Sequence, residues 1–263
     1  MKGLNDVLKA ILLTVATFVF CVGITGILYV ATTPDRRVQP ITFQSQVQES
    51  IKSVVHISCP HWQGSGFVIS EHIIATARHV VEGVEDFEII ACDGKKYRAT
   101  RAISDKKHDV GFIWVDEKLS NPVILGSVKE CYLGEDVYVI GSPYGMVNFN
   151  SLTKGIISGL NRNWDEIDLY TKKPYGWKIA FTTDSAGHPG NSGCPIFTMD
   201  GKVRGILVGG FSPVLICAMP CDLFIPDIKI IQLKFLEDKY QFERIPKYSA
   251  VENYYKQVEE WGR

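Results

Sequence analysis

The sequence predicts an all-β domain of sandwich or barrel type behind an N-terminal apolar helix. Three observations carry this reading. Short strand-like runs recur between turn residues along most of the chain. One uncharged apolar run stands apart near the N-terminus, and a stretch of helical periodicity follows the last strand.

The apolar run comes first. From Ala10 to Thr33 the chain carries no charge and is rich in Ile, Leu, Val, Phe and Ala. As a helix it spans about 36 Å, against a hydrocarbon core of about 30 Å. Lys9 and Arg36-Arg37 bracket it. A cleaved leader has an apolar region of only about 7–15 residues, and no small-x-small cleavage site follows. Residues 10–33 therefore read as a transmembrane helix behind a short flank at 1–9. Lys2 and Lys9 oppose Arg36 and Arg37, so the charges leave the orientation close to a tie. Residues 34–49, largely polar with two prolines, read as a linker.

The domain proper is expected at 50–240. Ser53–Cys59, Gly66–Ser70, Ile73–Thr76, Phe87–Cys92, Tyr97–Ile103 and Val110–Val115 read as strands of a first half. Asp136–Ile140, Leu152–Ser158, Lys178–Thr183, Pro195–Thr198 and Val203–Val208 read as strands of a second. Ile225-Pro226-Asp227 opens a helix with apolar residues at Ile228, Ile231, Leu233, Phe235 and Leu236. The tail, 241–263, holds a capping-box pattern at Ser249-Ala250-Val251-Glu252 ahead of a second helix.

Three segments carry candidate chemistry. Gly190-Asn191-Ser192-Gly193 sets a serine among permissive glycines, a pattern that exposes a hydroxyl and converges N–H groups on one point. An ordinary tight turn has the same composition. His79 follows at once on the strand-like run Ile73–Thr76, where a sheet would position a proton acceptor. Asp109 leads a polar loop into the apolar run Val110–Val115, a place from which a carboxylate can hold an imidazole N–H; Asp105 is the second choice. The order His, Asp, Ser matches one of the known arrangements of the hydrolytic triad.

These blocks together resemble the trypsin-like serine proteases of the HtrA/Deg type. The likeness runs through Gly64-Ser65-Gly66-Phe67-Val68-Ile69-Ser70, Thr76-Ala77-Arg78-His79-Val80-Val81, His108-Asp109-Val110-Gly111, Gly141-Ser142-Pro143-Tyr144-Gly145, Lys154-Gly155-Ile156-Ile157-Ser158-Gly159 and Thr183–Ile196, about residues 45 to 237. It implies two six-stranded antiparallel β-barrels of chymotrypsin type with C-terminal helices. It implies catalysis by His79, Asp109 and Ser192, with an oxyanion hole at Gly190, Asn191 and Ser192. The pocket for the residue before the cut would be lined by Ser185, Ala186, Gly187, Leu207, Val208, Gly209 and Gly210. No acid lies in those segments, so a small or medium apolar residue is expected there. Protein or peptide substrates, an extracytoplasmic protease domain and a homo-oligomer such as a trimer are further implications of the family. The chain departs from the usual pattern at Ala77-Arg78, where Asn-Asn is common, at Cys194, where Gly is common, and at His188, where Asn is common. The peptide-binding PDZ module of many relatives is not expected.

Other classes find less support. Net charge is −1 with no block of like charge, which removes the electrostatic footprint of a nucleic-acid binder. Of seven cysteines, Cys21 falls in the apolar run; Cys59, Cys92, Cys131, Cys194, Cys217 and Cys221 lie beyond it. Six permit disulfides, Cys59 with Cys92 among the pairings, and buried thiols are the alternative. Four ligands at zinc-site spacing never assemble, and no cofactor is expected. A membrane-tethered binding module on a protease fold is the rival function. An esterase elbow fits less well because Cys194 fills the place of its second glycine.

Overall fold

The computed structural model describes residues 9, 12–22, 42–59, 62–84, 86–99, 101–105, 108–164 and 177–240. They belong to two units, Met1–Ile41 and Thr42–Arg263. In the first unit residues 12–22 are helical and expose Leu13, Phe18 and Phe20. Among the described residues no helix is long and apolar enough to cross a membrane. The rest of the expected span, residues 10, 11 and 23–33, lies outside the described residues, as do 34–41 and the tail helix expected after Ser249.

The second unit opens with a helix, α1 (Phe43–Ser50), where the sequence reads as linker. Its start is set by Thr42, whose hydroxyl accepts from the Ser45 N–H at 3.1 Å. Phe43 packs edge-on against Tyr138, 5.4 Å between centroids, and Tyr138 stacks on Phe197 at 5.0 Å. Composition alone hid this helix because its apolar face is only Phe43 and Val47, both part-buried against the core.

The N-terminal sheet comprises β1 (Val54–Ser58), β2 (Gln63–Ser70), β3 (Ile73–Thr76), β4 (Phe87–Ala91), β5 (Lys96–Ala99), β6 (Arg101–Ser104) and β7 (Gly111–Trp114). The order is β5-β4-β1-β2-β3-β7-β6, antiparallel throughout. The short helix α2 (Arg78–Val81) follows β3. β3 is buried at every position, which is why it reads as an unbroken apolar run rather than an alternating one.

The C-terminal sheet comprises β8 (Ile124–Leu125), β9 (Asp136–Gly141), β10 (Ser151–Trp164), β11 (Trp177–Thr183), β12 (Pro195–Thr198), β13 (Lys202–Ser212) and β14 (Leu215–Pro220). Here β12-β9-β10-β11-β14-β13 closes on itself through a β12–β13 ladder, and β8 adds to β13 in parallel. The closed six-stranded barrel matches expectation. The first half is instead a half-barrel, because no ladder joins β5 to β6 among the described residues. β5 and β6 are the two edges of this sheet and residue 100 alone separates them in sequence, so they follow one another along the chain, one paired to β4 and the other to β7, rather than folding back as a ladder.

β14 and β8 went unread in the sequence. Leu215–Pro220 lacks a polar alternation because five of its six residues are buried. The expected closing helix is present as α3 (Ile228–Tyr240). Its Phe235, 1% exposed, packs on Trp114 of the N-terminal sheet, and Arg101 donates to the Phe235 carbonyl at 2.8 Å. The pairing of Cys59 with Cys92 is excluded by register. Ser58 faces Glu88 and Val55 faces Ala91, so the two cysteines lie at opposite ends of the β1–β4 ladder, about 16 Å apart at strand rise.

Candidate active site

His79 owes its place to the end of β3. The strand stops at Thr76, Ala77 stays extended, and one turn of helix presents the imidazole. β3 pairs with β7 so that Thr76 faces Gly111. The residues just beyond those strand ends, His79 and Asp109, therefore meet although thirty positions separate them. The His79 backbone N–H donates to Asp109 Oδ1 at 3.0 Å, and its ring Nδ1 pairs with Oδ2 at 2.7 Å. A carboxylate only accepts, so Nδ1 carries the proton and Nε2 is left with a lone pair. The Asp109 side chain is 12% exposed and that of His79 46%, so the acid is shielded while the ring faces solvent. Asp105, the second choice, instead accepts from His108 Nδ1 at 2.8 Å.

Ser192 sits on a turn folded by its own backbone. Asn191 N–H donates to the His188 carbonyl at 2.9 Å and Cys194 N–H to the Asn191 carbonyl at 3.0 Å. Gly190 and Gly193 have φ of +99° and +91°. A Cβ at Gly190 would lie 2.4 Å from the Ser142 carbonyl oxygen, and one at Gly193 2.0 Å from that of Ser65, so only glycine fits either position. Tyr144 N–H donates to the Pro189 carbonyl at 2.7 Å. In a trans peptide N–H and C=O point in opposite directions, so the Gly190 N–H is turned away from Tyr144. Among the described residues neither the Gly190 N–H nor the Ser192 N–H donates a hydrogen bond. Asn191 is 2% exposed and its Oδ1 is buried without a partner among the described residues.

His79 and Ser192 line one cavity of about 430 Å³, with Trp62, Gln63, Val80, Glu82, Pro189 and Gly190. No hydrogen bond links the two catalytic candidates directly among the described residues. Trp62 is anchored by its indole N–H, which donates to the Val80 carbonyl of α2 at 3.0 Å.

The expected substrate pocket separates into lining and supporting residues. Gly187 and Gly210 flank Ile216: a Cβ on either would come within 2.6 or 2.7 Å of its Cδ1. Leu207 Cδ1 stands 3.6 Å from the same point over Gly187. Gly209 pairs with Cys217 and Gly210 with Ile216 across the β13–β14 ladder. Val208 differs: it points to the opposite face of β13 and belongs to the core with Phe235. Ser185 is fully buried, and its N–H and hydroxyl are engaged with Thr183. Ala186 lends its carbonyl to Thr153 at 3.1 Å. Ile216 was invisible in the sequence because its strand was.

Cys194, next but one to the serine, is fully buried, and burial pushes its thiol up to about 12. Cys217 is pushed up to about 11 and Cys221 well above the ordinary range, by burial first. These side chains are neutral packing groups at neutral pH. None of the described cysteines is disulfide-bonded. Among the described residues no three His, Cys, Asp or Glu side chains gather as a metal site.

Comparison with known proteins identifies the family and the fold. The family model of the trypsin-like peptidase domain matches residues 64–206. A probable periplasmic serine endoprotease, DegP-like, of Halomonas elongata is 40% identical over 144 residues, 54% of this chain and 28% of that protein. Serine protease HTRA1 of Xenopus laevis is 32% identical over 203 residues, 72% of this chain and 43% of that protein. The chain thus spans less than half the length of these relatives. Its fold is similar to that of the HtrA-type protease AlgW with tripeptide, at TM-score 0.64 and 25% identity over 72% of this chain and 63% of that one. It is also similar to an inactive form of Rv3671c from M. tuberculosis H37Rv carrying a serine-to-alanine change, at TM-score 0.60 and 23% identity over 77% of this chain and 96% of that one. With the family match covering more than half of the chain and containing His79, Asp109 and Ser192, the protein belongs to the trypsin-like peptidase domain family.

Proposed function

We propose that the chain is a serine endopeptidase that hydrolyses peptide bonds through an acyl-enzyme. The observation that carries this is the two-point grip of Asp109 on His79, beside a cavity into which Ser192 also opens. His79 Nε2 takes the proton of the Ser192 hydroxyl as the oxygen attacks the scissile carbonyl. Asp109 fixes the tautomer and stabilises the imidazolium. The Gly190 and Ser192 N–H groups, which donate to nothing else among the described residues, donate to the oxyanion; Asn191 shapes the turn between them. His79 then returns the proton to the leaving amine, and water repeats the cycle on the ester. Removal of one oxyanion donor in another serine protease costs about 2.7–4 kcal/mol of transition-state stabilisation.

Ile216, Leu207, Gly187 and Gly210 make an apolar pocket for the residue before the cut. Chains with small or medium apolar side chains there are the substrate class. The N-terminal apolar run acts as a membrane anchor, and the protease domain at 50–240 faces the extracytoplasmic side; the periplasmic naming of the DegP-like relative supports that placement.

The test is Ser192→Ala. Hydrolysis of an internally quenched peptide should fall at least about a thousandfold, with the melting temperature unchanged. Retained turnover in that variant would remove the assignment.

A further inference from the structure

We infer that Ser65, which belongs to the N-terminal sheet, is a positioning residue for the oxyanion-binding turn of the C-terminal barrel. This rests on the catalytic reading above and assigns a role to a residue outside the triad and the hole.

Ser65 lies on β2 and is wholly buried. Its backbone N–H donates to the Ser192 carbonyl at 2.8 Å. Its hydroxyl donates to the Gly190 carbonyl at 2.8 Å and accepts from the Ser142 N–H at 3.1 Å. Its own carbonyl is held by the Thr76 hydroxyl at 2.7 Å, from the strand that leads to His79.

The consequence is geometric. Gly190 is the residue best able to turn its N–H away from the hole, because glycine meets little steric resistance in either half of φ space. Two peptide planes meet at its Cα. The plane before it is fixed where the Pro189 carbonyl accepts from Tyr144 N–H. The plane after it is held at both ends, by the Asn191 N–H on the His188 carbonyl and by its own carbonyl, which accepts from the Ser65 hydroxyl. That hydroxyl also holds Ser142, two residues before Tyr144. One side-chain oxygen therefore braces both clamps on Gly190. Nearby space is full: a Cβ at Gly141 would lie 2.0 Å from Cys194 Sγ and 3.2 Å from Ser65 Oγ.

In Ser65→Ala the Gly190 carbonyl and the Ser142 N–H lose their partner in a buried place. The hole should be populated for a smaller fraction of the time while the pocket around Ile216 stays intact. The experiment measures kcat, KM and the affinity of a peptidyl boronic acid, whose tetrahedral adduct needs the hole. For Ser65→Ala kcat should fall about 10–100-fold, the cost of an ångström-scale misplacement, with KM within about twofold. Boronate affinity should weaken by the same factor as kcat/KM. Tyr138→Phe, which loses a buried hydrogen bond to Ser50 far from the site, is the stability comparator; its kcat should not change. Ser65→Cys keeps a weaker donor and should fall between alanine and wild type, and it serves if the alanine variant fails to fold.

A Ser65→Ala enzyme with wild-type kcat and boronate affinity would overturn the inference, as would a loss confined to KM or a cysteine variant no better than alanine. Ser192→Ala is assayed alongside. If it is silent, the catalytic reading stands and only the role of Ser65 is at stake; if it turns over substrate, both fall.

Discussion

The N-terminal half-barrel positions His79 and Asp109 by itself, whereas the C-terminal barrel supplies Ser192 on a turn that the N-terminal half helps to hold. The first pair comes from adjacent strand ends, β3 and β7, within one sheet. Two hydrogen bonds lock it before any contact with the other half. The serine turn has internal bonds of its own, yet the carbonyls of Gly190 and Ser192 are both held by Ser65 of β2. The His79–Asp109 pair is therefore a local construction and the Ser192 turn a shared one. Mutations in the first should alter chemistry cleanly; mutations in the second should alter the fraction of molecules with a formed hole.

The largest effect should come from breaking the local pair. Asp109→Asn keeps the shape but offers an N–H where Nδ1–H needs an acceptor, so His79 adopts the wrong tautomer. A loss of about 10⁴-fold in kcat is expected, as for the equivalent change in another Ser-His-Asp protease; pre-steady-state acylation rates check it, and a loss under tenfold would refute the pairing as catalytic. Next comes the shared side. Gly190→Ala puts a Cβ 2.4 Å from the Ser142 carbonyl in a left-handed conformation, so the turn must shift. A kcat loss of about 10²–10³-fold, comparable to deleting one oxyanion donor, is predicted from steady-state kinetics.

A smaller effect should follow in specificity. Ile216→Ala removes the side chain between Gly187 and Gly210. Peptide-library profiling should show preference before the cut moving to larger apolar residues by at least about 10-fold in kcat/KM, since three carbons leave the pocket wall and one methylene alone is worth about 10–200-fold. An unchanged profile would place the pocket elsewhere.

The smallest concerns pH and a buried histidine of the half-barrel. His56 on β1 is 1% exposed, its Nδ1 has no partner among the described residues, and the Phe149 ring stands 6.1 Å away. Burial holds its imidazole below the ordinary 6.5, against an opposing pull from Glu88. The folded state thus favours the neutral ring. Its contribution to stability is complete above the unfolded value and is lost as pH falls through the folded one. Melting curves between pH 7.5 and pH 5 should drop more steeply for the wild type than for His56→Leu; parallel curves would contradict this.

The same division explains what could be read without coordinates. His79, Asp109 and Ser192 could be singled out as candidates because each sits at a boundary between an apolar run and a polar or glycine-rich loop. Asp109 outranked Asp105 by its closeness to the strand, and the structure pairs Asp105 with a different histidine. Ser65 was not legible as more than part of a Gly-Ser-Gly match. Its role depends on three partners far along the chain, and nothing local distinguishes it. Ile216 stayed hidden because a fully buried strand carries no alternation. Val208 was assigned to the pocket from its neighbours in sequence, whereas strand alternation turns it to the other face. Helix α1 was read as linker since its cap and two apolar contacts are too few to stand out.

The most direct measurement is labelling with a peptidyl phosphonate carrying a small apolar residue, followed by mass-spectrometric mapping in wild type, His79→Ala and Ser192→Ala. A single adduct on Ser192 in the wild type, absent in Ser192→Ala and slowed at least about a hundredfold in His79→Ala, is the predicted result. An adduct on another residue, or labelling of Ser192 at full rate without His79, would contradict a proton-relaying unit of His79, Asp109 and Ser192.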